Sequence, residues 1–194
     1  MHESSPHLAA MPETQPQSIH VMIDLETWGV SNDAAIISIG AVKFTLSNPY
    51  VIVDKLHVVV DPGSNARYGL KMDATTLMWW MHKARDEARQ RLLTAEQVDI
   101  ASALDGFRMW FGDESLPTWG NGASFDNVIL RNAYRLTGLG CPWKFHDDRC
   151  YRTMKNLDPH LKLERAGTHH DALDDAVHQA LHLQKISKNL DICL

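Results

Sequence analysis

The chain predicts an α/β fold: a mixed five-stranded sheet flanked by helices. Three observations carry that expectation. Residues 19–26 alternate strictly between two faces. Two further Val- and Ile-rich segments follow directly. From about residue 73 onward the apolar positions recur at helical spacing, broken only by short strand-like stretches.

In residues 19–26, Ile19, Val21, Ile23 and Leu25 fall on one face, and His20, Met22, Asp24 and Glu26 on the other. The aliphatic face is expected to face the core. Segments 35–44 and 51–60 are separated by Ser47-Asn48-Pro49 and closed by Asp61-Pro62-Gly63, so the three read as a meander. Asp73 can cap a helix running through Trp79, Trp80 and Ala84. Thr94 with Gln97 reads as a capping box ahead of the stripe Val98, Ala101, Leu104, Phe107 and Trp110, which Gly112 ends. A short fourth strand at 116–120 precedes a helix over 124–136 stopped by Gly138. Residues 143–157 hold a fifth strand and a short helix. A last helix starts near Asp171 and turns Leu173, Ala176, Val177, Ala180 and Leu183 inward. This order, β-β-β-α-α-β-α-β-α, is that of a ribonuclease-H-like sheet.

The 194 residues are 44% hydrophobic, enough for one core, so residues 19–194 are expected to form a single domain. Residues 1–18, with Pro6, Pro12 and Pro16 and little apolar periodicity, read as a disordered leader. No apolar run approaches a membrane span, and no basic-then-apolar secretory signal is present. Cys141, Cys150 and Cys193 form no CxxC pair, which fits a reducing, cytoplasmic setting. A net charge of −5 excludes a protein that coats duplex DNA by bulk charge, but not an enzyme whose acids hold cations.

Three acidic segments carry the chemistry. Asp24 and Glu26 leave one strand on the same side, about 7 Å apart, and two such carboxylates repel unless a hard cation with oxygen ligands lies between them. Alone, this pair reads equally as a solvated strand end. Asp126 follows a strand and a Gly-containing turn, in the first turn of a helix, where an acid is commonly only a helix-dipole partner. His170 stands at the entrance of the last helix and Asp175 about one and a half turns inside it. By itself that is an acidic first turn with a surface histidine.

Together and in this order the three resemble the DEDD superfamily of 3′→5′ exonucleases over residues 19–188. Asp24-Leu25-Glu26-Thr27 is similar to its DxET motif, Asn121-Gly122-Ala123-Ser124-Phe125-Asp126 to NxxxFD, and His170-x-Ala172-x-x-Asp175 to HxAxxD. The tyrosine branch would place Tyr four residues before the last acid, where Asp171 stands; His170 identifies the histidine branch. The Trp79-Trp80 pair and the stretch Asp24-Leu25-Glu26-Thr27-Trp28-Gly29 resemble a small bacterial or phage exonuclease or exoribonuclease subgroup.

The resemblance implies that Asp24, Glu26, Asp126 and Asp175 hold two Mg²⁺ or Mn²⁺ ions, with Glu26 also counted among the catalytic residues. His170 would take the proton from the attacking water. Leu25, Thr27, Trp28, Asn121 and Phe125 would meet the substrate, a single-stranded RNA or DNA 3′ end, and nucleoside 5′-monophosphates would leave. Trp28 reads equally as core. A homodimer is common in this branch and enters by analogy. The rival readings are a catalytically silent nucleic-acid-binding module and a polymerase-associated proofreading subunit. The five reactive positions argue against the first, and the short stretch after Leu183 against the second.

Other residues carry bland readings. His178 and His182 have zinc spacing on a helix but no third ligand in register. His169 is a neighbour of the base. Asp171 and Asp174 are caps or solvated acids, and Asp147 and Asp148 have no motif. Trp79, Trp80 and Met81 are mostly core, with one Trp near the groove. Lys83, Arg85, Arg89 and Arg91 form a solvated helix face, with phosphate contact as the sharper alternative.

Overall fold

A computed structural model describes residues 18–82, 86–122 and 124–192. The expected leader lies outside these residues except for Ser18, as do Lys83, Ala84, Arg85, Ala123 and Cys193. The elements run β1 (Ile19–Thr27), β2 (Ile36–Thr45), β3 (Ile52–Val60), α1 (Pro62–Arg67), α2 (Ala74–Trp80), α3 (Asp86–Thr94), β4 (Gln97–Val98), α4 (Ile100–Phe111), β5 (Thr118–Gly120), α5 (Asp126–Thr137), β6 (Asp148–Cys150), α6 (Tyr151–Leu157) and α7 (Ala172–Leu190).

The α/β class and the mixed sheet hold. The sheet has six strands, in the order β4-β3-β2-β1-β5-β6. β1, β2 and β3 are antiparallel; β5 joins β1 in parallel with Val21 opposite Thr118, and β6 extends it in parallel. The extra strand corrects the capping-box expectation. Thr94 ends α3 and bonds back to Gln90, so Gln97 and Val98 are released to pair with Val59 and Val60. Asp99 is the cap of α4, accepting from the Ala101 amide at 2.8 Å. One further helix was not expected. Asp61-Pro62-Gly63 opens α1, with Asp61 as cap and Pro62 in the first turn. The charge run carrying Arg89 and Arg91 lies on a helix as read, α3.

β1 is a central strand, buried on both faces, which corrects the expectation of one core face. Val21, Ile23 and Leu25 pack with Ile100, Leu104 and Phe107 of α4 and Ile129, Leu130 and Ala133 of α5. Met22 packs on the other side with Val42, Trp119 and the α7 residues Ala176, Ala180 and Leu183. On that second face the sheet leaves little room. A Cβ on Gly40 of β2 would lie 2.1 Å from the carbonyl carbon of Ala172. Gly40 is the register partner of Asp24, so its missing side chain lets the start of α7 rest on the sheet beside that acid. No helix among the described residues is long and apolar enough to cross a membrane.

Candidate active site

The parallel strands β1 and β5 end on the same edge of the sheet, where such sheets gather ligands. β1 delivers Asp24 and Glu26, with a register irregularity between Glu26 and Thr27. The turn after β5 delivers Asp126 as the first residue of α5. Its position is fixed by backbone donors: the Leu25 amide donates to Oδ1 at 3.1 Å and the Asn121 amide to Oδ2 at 2.8 Å. α7 brings Asp175 in its first turn, and His170 sits two residues before that helix with φ of 64°. A left-handed backbone is uncommon for a non-glycine residue and marks a held conformation.

The four acids and His170 line one cavity of about 500 Å³. One ligand atom each from Glu26, His170 and Asp175 lies within 4.8 Å of the others. Asp24 stands beside them on β1, with its Oδ1 accepting from Gln179 Nε2 at 2.6 Å. Burial, then the charges of Asp126 and Glu26, pushes the Asp24 carboxyl well above its ordinary value. Burial, then Asp126 and Asp171, lifts Glu26 to about 8. Burial lifts Asp126 to about 6, held down by its backbone donors. Like charges forced together out of water are a site that a cation completes. The donor set, four carboxylates and an imidazole, suits a hard divalent ion.

The remaining expected residues divide. Leu25 and Phe125 line this cavity and a second, more apolar one of about 340 Å³, which Thr27, Trp79 and Trp80 also line. Asn121 lines the first. Trp28 lines neither cavity; half-buried, it packs against Trp80 and the core, its amide continuing the β1–β2 pairing to Ala35. Both tryptophans of α2 reach the groove. Trp80 is buried and donates to the Thr27 carbonyl at 3.0 Å, and the Trp79 ring meets His170 edge-on at 4.8 Å.

Asp171 caps α7, accepting from Leu173 and Asp174 amides. Asp174 accepts from the Thr168 amide, and Arg91 bridges Asp171 and Asp174 at 3.1 Å each. Arg91 therefore ties α3 to the His170 segment while its side chain stays about half exposed. Arg89 donates to the Trp80 and His82 carbonyls. His182 is engaged at both nitrogens, with the Tyr151 hydroxyl at 2.7 Å and the Leu161 carbonyl at 3.1 Å, which removes it from a zinc pair. Asp148 holds Asn127, Arg131 and Trp143 together.

Several cavity residues escaped the sequence reading. Gln179 lies one turn after Asp175 on the same face of α7, a spacing that would have found it. Arg152, Lys155, Lys162 and Arg165 line the cavity from α6 and the segment after it, and Arg165 ion-pairs with Asp175. No motif signals them.

Among solved structures the chain resembles the nuclease domain of 3′hExo, a DEDDh family member bound to rAMP. The identity is 13% and the TM-score 0.59, over 89% of this chain and 93% of that one. It also resembles E. coli Exonuclease I in complex with a dT13 oligonucleotide, at 14% identity and a TM-score of 0.63. That match covers 90% of this chain but 43% of Exonuclease I, so the chain spans less than half of that enzyme. Cell-death related nuclease 4 matches at 14% identity and a TM-score of 0.51, over 90% of this chain and 65% of that one. These likenesses establish the fold. No curated protein sequence matches the chain. Residues 19–187, from the first residue of β1 to near the end of α7, match the family described as the 3′–5′ exoribonuclease Rv2179c-like domain, and the chain belongs to that family of 3′–5′ exonucleases.

Proposed function

We propose that this chain trims single-stranded RNA from its 3′ end by divalent-metal-assisted hydrolysis, releasing nucleoside 5′-monophosphates. The observation that carries the reading is the convergence of Glu26, His170 and Asp175 within 4.8 Å, beside two further buried acids. Asp24, Glu26, Asp126 and Asp175 would hold two Mg²⁺ or Mn²⁺ ions. When bound, the ions acidify the attacking water and neutralise charge growing on the phosphate.

The protein's own groups do the rest. The His170 imidazole, in a left-handed backbone and edge-on to the Trp79 ring, accepts the proton of the attacking water. Leu25 and Phe125 stand between the two cavities, so the terminal base enters the apolar one against Trp79. Arg152, Lys155 and Lys162 give the other cavity a cationic wall for backbone phosphate. The family's description supports RNA over DNA. A cytoplasmic setting agrees with the free thiols of Cys141 and Cys150. A homodimer agrees with the apolar surface of Val30, Met78 and Met81, each more than two-thirds exposed.

The test is product analysis on matched RNA and DNA oligonucleotides with Mg²⁺. Nucleoside 5′-monophosphates released from RNA faster than from DNA, and only from a free 3′ end, are expected. Internal cuts, or release from the 5′ end, would overturn the reading.

A further inference from the structure

Arg165 is an unusual neighbour for a site that receives cations. It sits in the segment between α6 and α7, two residues before Gly167, whose φ is 86°. Its Nη2 ion-pairs with Asp175 Oδ1, and its side chain is 25% exposed. The guanidinium reaches the centre through this contact with Asp175. Arg152 in the same wall is anchored differently, by donating to the Asn121 carbonyl at 2.6 Å. Among the described residues Arg165 is the cation that pairs with an acid of the centre, and its field also reaches Asp24 and Glu26.

A guanidinium against Asp175 holds the place of a cation ligand bond. A divalent ion taking Asp175 Oδ1 competes with the guanidinium for that oxygen, because two positive groups repel at contact distance. Once displaced, it remains in a cavity whose acids are already neutralised: four carboxylates match two dications. The anion then left to pair is the phosphodiester, and a planar fork of donors suits phosphate oxygens. We propose that Arg165 is a resident counter-ion of the metal-free centre that yields Asp175 to divalent cations and then binds the scissile or adjacent phosphate. This rests on the metal-dependent reading above.

The two roles pull in opposite directions, which separates them from a merely structural one. Mn²⁺ binding is measured by titration of the full chain without nucleic acid, followed by the paramagnetic signal of free ion, and KM is measured on an RNA oligonucleotide with Mg²⁺. Arg165→Gln is expected to bind Mn²⁺ about tenfold more tightly and to show a KM raised about tenfold. Arg165→Lys, which keeps the charge but loses the fork, is expected between parent and Arg165→Gln in both readouts. Mn²⁺ affinity that is unchanged or weaker in Arg165→Gln, or an unchanged KM, overturns the proposal. A parent that binds no Mn²⁺ overturns the metal reading and this inference together. A parent that binds Mn²⁺ and trims RNA, with Arg165→Gln indistinguishable from it, overturns this inference alone.

Discussion

Gln179 donates a 2.6 Å hydrogen bond from Nε2 to Oδ1 of Asp24, joining α7 to the central strand at the acid that opens the site. Both groups are buried, and Gln179 Oε1 makes no hydrogen bond among the described residues. The contact orients the Asp24 carboxylate. Groups that orient a ligand in this way typically account for a 10- to 100-fold effect on metal affinity or activity. Gln179→Leu, of similar volume, should therefore lower Mn²⁺ affinity by about 10- to 100-fold with a lower kcat and little change in KM. A Mn²⁺ titration identical to the parent's would show that Asp24 is held without it.

The approach of α7 to the sheet makes a second prediction. Gly40→Ala places a methyl 2.1 Å from Ala172 backbone, which has no flexible end to move aside. Overpacking of this kind costs about 1–3 kcal/mol or more. At roughly 2–4 °C per kcal/mol for a chain of this size, Tm should fall by about 3–10 °C. Because α7 carries Asp175, activity measured well below Tm should fall as well. A full-activity Gly40→Ala protein would mean that the position of α7 is not what sets the site.

The buried acids predict how the metal-free protein responds to pH. Glu26 titrates near 8 in the fold against an ordinary value of 4.5, so between those values the folded chain holds a proton that the unfolded chain has released. Its contribution is complete at low pH and is lost as pH rises toward 8. Asp24 and Asp126 shift in the same direction. In EDTA, thermal stability should decline from pH 5 to pH 8, and Glu26→Gln should flatten the decline by raising Tm at the upper end. An unaltered slope in Glu26→Gln would remove this acid from the effect.

His170 lies close enough to Glu26 and Asp175 to be read as a ligand or as a base. The two roles predict different outcomes. As the base, His170→Ala should lower kcat by about 10²–10⁴-fold while leaving Mn²⁺ affinity nearly unchanged. A large loss of Mn²⁺ affinity would reassign the imidazole to the metal.

Much of this site was legible because its residues stand at periodic positions. Alternation on β1 places Asp24 and Glu26 on one side, and helix spacing places Asp175 inside α7, whatever surrounds them. The third dimension was harder to read. Nothing local to Thr94 distinguishes a cap from the end of α3; the pairing of Gln97 with Val59, 38 residues away, decides it. Trp28 follows a motif, yet continued pairing to Ala35 lays it against the core, half-buried. Arg91 looked solvated because its partners, Asp171 and Asp174, lie 80 or more residues on. Arg165 sits in an aperiodic segment, and only the folded chain brings it to Asp175.

The most direct test uses 5′-labelled single-stranded RNA, the parent and Asp24→Ala, each with Mg²⁺ and with EDTA. The account predicts a ladder shortening from the 3′ end with the parent and Mg²⁺, and none with EDTA or with Asp24→Ala. RNA trimmed equally in EDTA, or by Asp24→Ala, would contradict a centre built on these carboxylates and the cations they hold.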